Sequence, residues 1–260
     1  MPFIDLKGDR FHYAVDGQES APALILSNSL GCTLAMWEPQ VPAFSKHFRV
    51  VRYDQRGHGQ TAVTPGPYSF KQLAEDVIAL MDALKIQKAH FLGLSMGGGT
   101  GQWLGVHHAG RINKLILSNT AAKFGTPDVW NARIESVKKG GMSVVADATM
   151  ERWFTAGFRA KAPQEVEKIK KTLLATKVEG YVACSEGIRD ADLQEIIRGI
   201  KLPTMVIAGS HDAGTPPAAN KLIADRVPGA KYVELNAAHI ANIEQAAEYT
   251  KTVLDFLGVK

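Results

Sequence analysis

The sequence predicts an α/β protein: a mostly parallel central sheet, helices on both faces, and a helical insertion over one edge. Three observations predict it. Short apolar runs alternate with helix-patterned stretches; the run at 89–94 leads into Gly93-Leu94-Ser95-Met96-Gly97; and from 119 to about 200 helical and aromatic segments continue without a clear strand. At 260 residues, 45% hydrophobic and 22% charged, the chain is long enough to bury a sizeable core around one such sheet.

Residues 3–5 and 11–16 flank the polar turn Lys7-Gly8-Asp9 and read as an N-terminal hairpin. The run at 23–26 is a short buried strand ending in Ser27-Asn28-Ser29-Leu30-Gly31, and strand-end loops are where a parallel sheet builds its site. The strand at 49–53 is followed by Asp54-Gln55-Arg56-Gly57-His58-Gly59, a loop expected to fold on itself through Asp54 and Arg56, with His58 structural rather than catalytic. From Ser69, apolar residues including Phe70, Leu73, Val77, Met81 and Leu84 recur at helical steps, and Ser69 with Gln72 has capping-box spacing. A strand at 89–94, a helix over 97–108 and a strand at 114–118 follow, an alternation that implies parallel strands joined by right-handed crossovers. Strands resume at 204–208 and 231–235. Pro216 and Pro217 open a helix between them, and a last helix covers 246–257. On this reading residues 1–119 and 201–260 form the core, and 120–200, with Trp130, Trp153, Phe154, Phe158 and Tyr181, form a helical cap acting as a lid.

The Gly93–Gly97 segment carries the chemistry. A serine on a sharp strand-to-helix turn is strained, and side chains two residues either way would collide, so glycines stand there. The turn lifts the Ser95 hydroxyl out of the sheet and aims the next helix at it, which makes the Met96 N–H a candidate oxyanion donor; the Leu30 N–H is the candidate for the second. Taken alone, the segment also fits a turn in which Ser95 merely caps a helix. A phosphate-binding loop fits less well, because neither GxGxxG in register nor a Lys-Ser/Thr pair is present.

The rest of the chain weighs for a nucleophile. Ser95, Asp212 and His239 each lie just past an apolar run, in the order of one Ser-Asp-His triad topology. His239 would take the Ser95 proton, since a serine hydroxyl is a poor nucleophile at neutral pH without a base, and Asp212 would hold the imidazole tautomer. The other seven histidines lack that placement. No HExxH or comparable ligand set is present, so neither a metal nor another cofactor is expected.

With these residues the chain resembles the α/β-hydrolases over essentially its whole length, and more narrowly the 3-oxoadipate enol-lactonases. The resemblance is carried by LSNSLG, DQRGHG, GLSMGG with GQWLG, SNTAAKFGTPDVWNARI, and VIAGSHDAGTPP with ELNAAHIAN. GLSMGG and DQRGHG are widely shared; SNSLG and the 119–134 stretch are more specific. Gly99 and Ala213-Gly214 are small departures that touch fit more than chemistry. The resemblance implies a serine hydrolase that opens a small anionic enol-lactone in aromatic-compound catabolism. It also implies a cation in the cap for the substrate carboxylate. Arg133 is the candidate, one helical turn from Trp130, and Trp130 and Trp153 are the accompanying substrate-binding candidates. A general carboxylesterase or a cofactor-free perhydrolase of the haloperoxidase type is the alternative, and a slow-turnover ligand receptor of the same fold is a further one. A haloalkane dehalogenase is disfavoured, since its nucleophile would be an aspartate at position 95.

A formal net charge of +4 with scattered basic residues does not point to nucleic acid, though it favours an anionic substrate. Cys32 and Cys184 are far apart in sequence and read as free thiols of a reducing compartment. No secretory leader or membrane-length apolar stretch is seen, so the expected location is the cytoplasm, with no membrane partner and homo-oligomerisation left open.

Overall fold

The structure, a computed structural model, describes residues 2–259. Eight strands form one sheet: β1 (Phe3–Leu6), β2 (Asp9–Asp16), β3 (Ala23–Ser27), β4 (Arg49–Tyr53), β5 (Ala89–Leu94), β6 (Ile112–Ser118), β7 (Thr204–Gly209) and β8 (Lys231–Leu235). Their order is β1-β2-β4-β3-β5-β6-β7-β8. β1 and β2 pair antiparallel and β2 runs antiparallel to β4, while every pairing from β4 to β8 is parallel. β3 (ALILS) and β7 (TMVIAG) are buried at every position, which is why they read as continuous apolar runs rather than as alternation.

Eleven α-helices complete the described chain: α1 (Val41–Phe44), α2 (Phe70–Ala83), α3 (Met96–His107), α4 (Pro127–Gly140), α5 (Ser143–Trp153), α6 (Ala156–Lys161), α7 (Pro163–Leu174), α8 (Val178–Asp190), α9 (Pro217–Arg226), α10 (Ala241–Glu244) and α11 (Ala246–Leu257). The Ser69 hydroxyl caps α2 by accepting the Gln72 N–H at 3.2 Å. α1 and α10 span a single turn each, too short for a 3.6-residue pattern to register in the sequence.

The strand order reverses at β3: the chain leaves it for β4 on one side and later returns as β5 on the other. Ligand crevices of open α/β sheets form at the carboxyl ends of strands flanking such a point. Ser27 pairs with Gly93 there, and the Gly97 N–H donates to the Asn28 carbonyl at 3.0 Å, so the loops after β3 and β5 are locked side by side. α4 to α8 all lie between β6 and β7. Leu173 of α7 meets Gly31, and Gly180 of α8 packs backbone to backbone on Gly57, so these helices contact the strand-end loops directly.

One local expectation holds for Asp54 and not for the Arg56 side chain. The 54–59 loop folds back on itself through Asp54, whose carbonyl accepts the Thr61 hydroxyl at 2.7 Å. Asp54 accepts the Leu34 N–H at 2.8 Å, His12 Nδ1 at 2.6 Å and the Gln60 N–H at 3.0 Å. Arg56 instead forks onto Asp76 at 2.9 and 2.7 Å and reaches Asp9 at 2.5 Å. Both residues are buried, and a buried charge stripped of its partner costs about 3–5 kcal/mol. Each therefore has partners that only the fold brings near: His12 and Leu34 for Asp54, Asp9 and Asp76 for Arg56.

Candidate active site

Ser95 links β5 to α3 with φ 57° and ψ −112°. Such a conformation costs a non-glycine residue about 1–3 kcal/mol and persists only where the surroundings impose it. Here they do: the Ser95 N–H donates to the Ser118 carbonyl at 2.8 Å, and its own carbonyl accepts the Thr120 hydroxyl at 2.8 Å and the Gly99 N–H at 3.0 Å. A Cβ at Gly93 would strike the Gly97 carbonyl, and one at Gly97 would strike the Ser27 carbonyl, so the flanking glycines answer real steric demands. The Ser95 side chain makes no cap hydrogen bond to α3, which removes the alternative of a helix cap.

Asp212 lies in the loop after β7 and His239 in the loop after β8. His239 Nδ1 stands 2.8 Å from Asp212 Oδ2. A carboxylate only accepts, so the imidazole carries a proton on Nδ1, and in the neutral ring Nε2 is the nitrogen that can accept one. The same Oδ2 accepts the Thr215 hydroxyl at 2.7 Å and Asn119 Nδ2 at 3.2 Å, while Oδ1 accepts the N–H groups of Gly214 (2.8 Å) and Thr215 (3.0 Å). Burial alone would raise the Asp212 carboxyl. The facing His239 and the Thr215 donors outweigh it and hold the group below the usual carboxylate range. Asn119 also donates to the Ala238 carbonyl at 3.1 Å, fixing the His239 loop and the Asp212 carboxylate with one amide. Sequence reasoning missed Asn119 and Thr215. Asn119 directly follows the β6 run, but nothing in the sequence shows that it faces a loop some ninety residues later.

Met96 is the first residue of α3, so its N–H has no intrahelical acceptor and sits at the positive end of a twelve-residue helix. Leu30 lies in the turn after β3, closed by the Cys32 N–H donating to the Ser29 carbonyl at 3.1 Å. Asn28 anchors that turn: its Oδ1 accepts Trp37 Nε1 at 2.9 Å, and its Nδ2 donates to the Tyr53 carbonyl at 2.8 Å. Ser95, His239 and Asp212 are 8%, 5% and 2% exposed, so charge developing here is poorly screened by water.

The described helices between β6 and β7 bring aromatic and cationic groups over these loops. Trp153 stacks on His239 with ring centroids 6.1 Å apart and planes 25° apart, and its backbone carbonyl accepts the Ile240 N–H at 3.1 Å. Trp130 and Arg133 share one face of α4, the guanidinium carbon 5.3 Å from the indole centroid, while Trp130 Nε1 donates to the Phe124 carbonyl at 2.6 Å. Arg152, not singled out from the sequence, lies beside Trp153, and its charge and that of Arg133 both act on the buried Tyr181. Burial raises the Tyr181 hydroxyl and the two guanidinium groups oppose that rise. Burial lowers Arg152 and the like charge of Arg133 lowers it further. Neither arginine forms a salt bridge among the described residues. Measured from the position a Cβ on Gly31 would take, the Tyr181 and Trp153 rings lie 3.6 and 3.7 Å away, so both border the turn that carries Leu30.

Among the described residues no group of three or more His, Cys, Asp or Glu side chains is placed to hold a metal, and no helix is long and apolar enough to cross a membrane. Cys32 and Cys184 are buried and unpaired.

The family model for the alpha/beta hydrolase fold matches residues 22–246. The chain is 42% identical over 242 residues to 3-oxoadipate enol-lactonase 2 of Acinetobacter baylyi, covering 93% of this chain and 91% of that one. To 3-oxoadipate enol-lactonase 1 of the same organism it is 38% identical over 251 residues, with 96% and 94% covered. The crystal structure of the enol-lactonase from Burkholderia xenovorans LB400 superposes with a TM-score of 0.97 at 48% identity, covering 98% of this chain and 99% of that one.

Proposed function

The chain belongs to the α/β-hydrolase fold family, and on that premise we propose that it is a carboxylic ester hydrolase that opens 3-oxoadipate enol-lactone to 3-oxoadipate. It would act in the cytoplasm, in aromatic-compound catabolism, without a cofactor. α4 to α8 serve as its cap over the sheet's carboxyl edge.

Ser95 Oγ attacks the lactone carbonyl while its proton passes to His239 Nε2. The carbonyl oxygen becomes an oxyanion facing the Leu30 and Met96 N–H groups. Collapse breaks the bond to the ring oxygen, leaving an acyl group on Ser95. The leaving oxygen is an enolate, a better leaving group than an alkoxide; His239 returns the proton, and the enol tautomerises to the ketone. Water then attacks the acyl-enzyme with His239 again as base, and a second collapse frees Ser95 and the product carboxylate. Asp212 keeps the Nδ1 proton in place and stabilises the imidazolium in both halves.

The observation that carries the substrate class is the pair of arginines without carboxylate partners. Two guanidinium groups that repel one another near a buried tyrosine are relieved by an anion, and the enol-lactone carries a carboxylate. Arg133 and Arg152 hold that carboxylate, with Trp130 and Trp153 as apolar walls. A hydrogen bond to a charged group contributes about 1.5–3 kcal/mol, which is roughly ten- to a hundredfold in affinity. Arg133→Ala and Arg152→Ala are therefore each expected to raise KM for the lactone about tenfold or more, with hydrolysis of the neutral p-nitrophenyl acetate changed less than about threefold. Equal losses on both substrates, or none on the lactone, would remove the carboxylate role.

A further inference from the structure

His58 sits in the loop after β4, outside the triad, 1% exposed, and its ring makes one contact of mechanistic consequence: the Gly31 N–H donates to His58 Nε2 at 2.8 Å. Gly31 follows Leu30 in the Ser29–Cys32 turn and has φ +78°, the value that the third residue of a type II turn takes. To accept that N–H, Nε2 must be unprotonated, which places the ring proton on Nδ1, toward the Arg56 carbonyl at 3.3 Å. Cys184 of α8 lies beside the same edge, its Sγ 4.0 Å from Nδ1 and 3.7 Å from the Arg56 carbonyl. Burial lowers the His58 pKa, against the smaller opposing effects of the Arg56 carbonyl and Asp54, in the direction of the neutral ring that the Gly31 contact requires. Gly31 is buried, and Leu173 of α7 packs directly on it.

We propose that His58 is a positioning residue for the oxyanion hole: by accepting the Gly31 N–H it fixes the turn that aims the Leu30 N–H at the developing oxyanion. The inference rests on the reading of Ser95 as nucleophile and Leu30 as oxyanion donor. Asn28 pins the start of the turn through its side chain and through its carbonyl, which accepts Gln55 Nε2 at 2.5 Å and the Gly97 N–H at 3.0 Å; His58 pins its apex. A donor serves an oxyanion only within about 2.7–3.1 Å, so a turn released at its apex loses transition-state stabilisation while ground-state binding by the cap is untouched.

The test compares wild type, His58→Leu, which removes the acceptor, and His58→Gln, whose Oε1 can still accept. Four quantities are measured: kcat and KM for the enol-lactone, the affinity of an alkylboronic acid that forms a tetrahedral anion on Ser95, and the affinity of the product 3-oxoadipate. For His58→Leu, kcat should fall about a hundredfold with KM within twofold, boronate affinity should weaken in parallel, and product affinity should hold; His58→Gln should recover at least about tenfold of the lost kcat. His58→Asn, polar but too short to reach Gly31, is expected to match Leu and replaces it if Leu does not fold. If kcat in the Leu or Asn variant stays within threefold of wild type, if Gln recovers nothing, or if boronate and product affinities fall together, the positioning role is wrong. A wild type that neither turns over the lactone nor binds the boronate would instead remove the hydrolase reading beneath it.

Discussion

Ser95→Ala is expected to lower kcat for the enol-lactone by about 10⁴-fold or more while leaving the fold intact. The magnitude follows from the proposed role of Ser95 as the nucleophile; the proposed oxyanion donors and the bound geometry would sustain a residual rate over water. The fold should survive because the hydroxyl makes no helix-cap bond, and the backbone contacts that impose the turn, from Ser118, Thr120 and Gly99, do not involve the side chain. The variant should therefore melt no lower than wild type and bind 3-oxoadipate as tightly. A fluorophosphonate should label wild type at Ser95 and leave the variant unlabelled. Lactone opening that persists in Ser95→Ala would mean that another group attacks.

Asp212→Asn should be nearly as damaging, about 10³- to 10⁴-fold in kcat, for a reason visible in the local hydrogen bonds. Oδ1 of Asp212 is held by two backbone donors, Gly214 and Thr215. An asparagine keeps its own oxygen there, so its NH₂ takes the place of Oδ2, the atom facing His239 Nδ1. His239 must then accept at Nδ1 and carry its proton on Nε2, where it cannot deprotonate Ser95. The NH₂ also confronts the Asn119 amide donor, which adds a modest loss of stability. KM should change little, because no cap contact is disturbed. Two measurements check this: kcat at neutral pH, and the downfield Nδ1 proton resonance of His239, present in wild type and absent in the variant. A kcat within tenfold of wild type would mean that Asp212 does not set the tautomer.

The parts of this molecule legible in its sequence share one property: their cause is local. β3, β5 and β7 read as apolar runs because both faces of those strands are buried, and α2 reads as a helix because its apolar residues recur on one face above a serine cap. Gly93 and Gly97 announce the Ser95 turn because the clash they avoid lies within four residues or with the neighbouring strand. What stays hidden is set by residues far apart in the chain. Nothing near Arg56 indicates Asp9 and Asp76 as its partners, nothing near Asn119 indicates Asp212, and Arg152 is one of many cations between β6 and β7 until the fold sets it against Arg133 and Tyr181. His58 shows the same divide. Its loop reads as structural, and the Gly31 contact is what connects the His58 ring to the turn beside Ser95.

The most direct test of the central claim is the ratio of kcat/KM for freshly generated 3-oxoadipate enol-lactone to that for p-nitrophenyl acetate, measured on the wild type. Two arginine contacts to the substrate carboxylate, at about 1.5–3 kcal/mol each, predict a preference for the lactone of about a hundredfold or more. Comparable, slow turnover of both substrates would contradict the account and leave a general esterase.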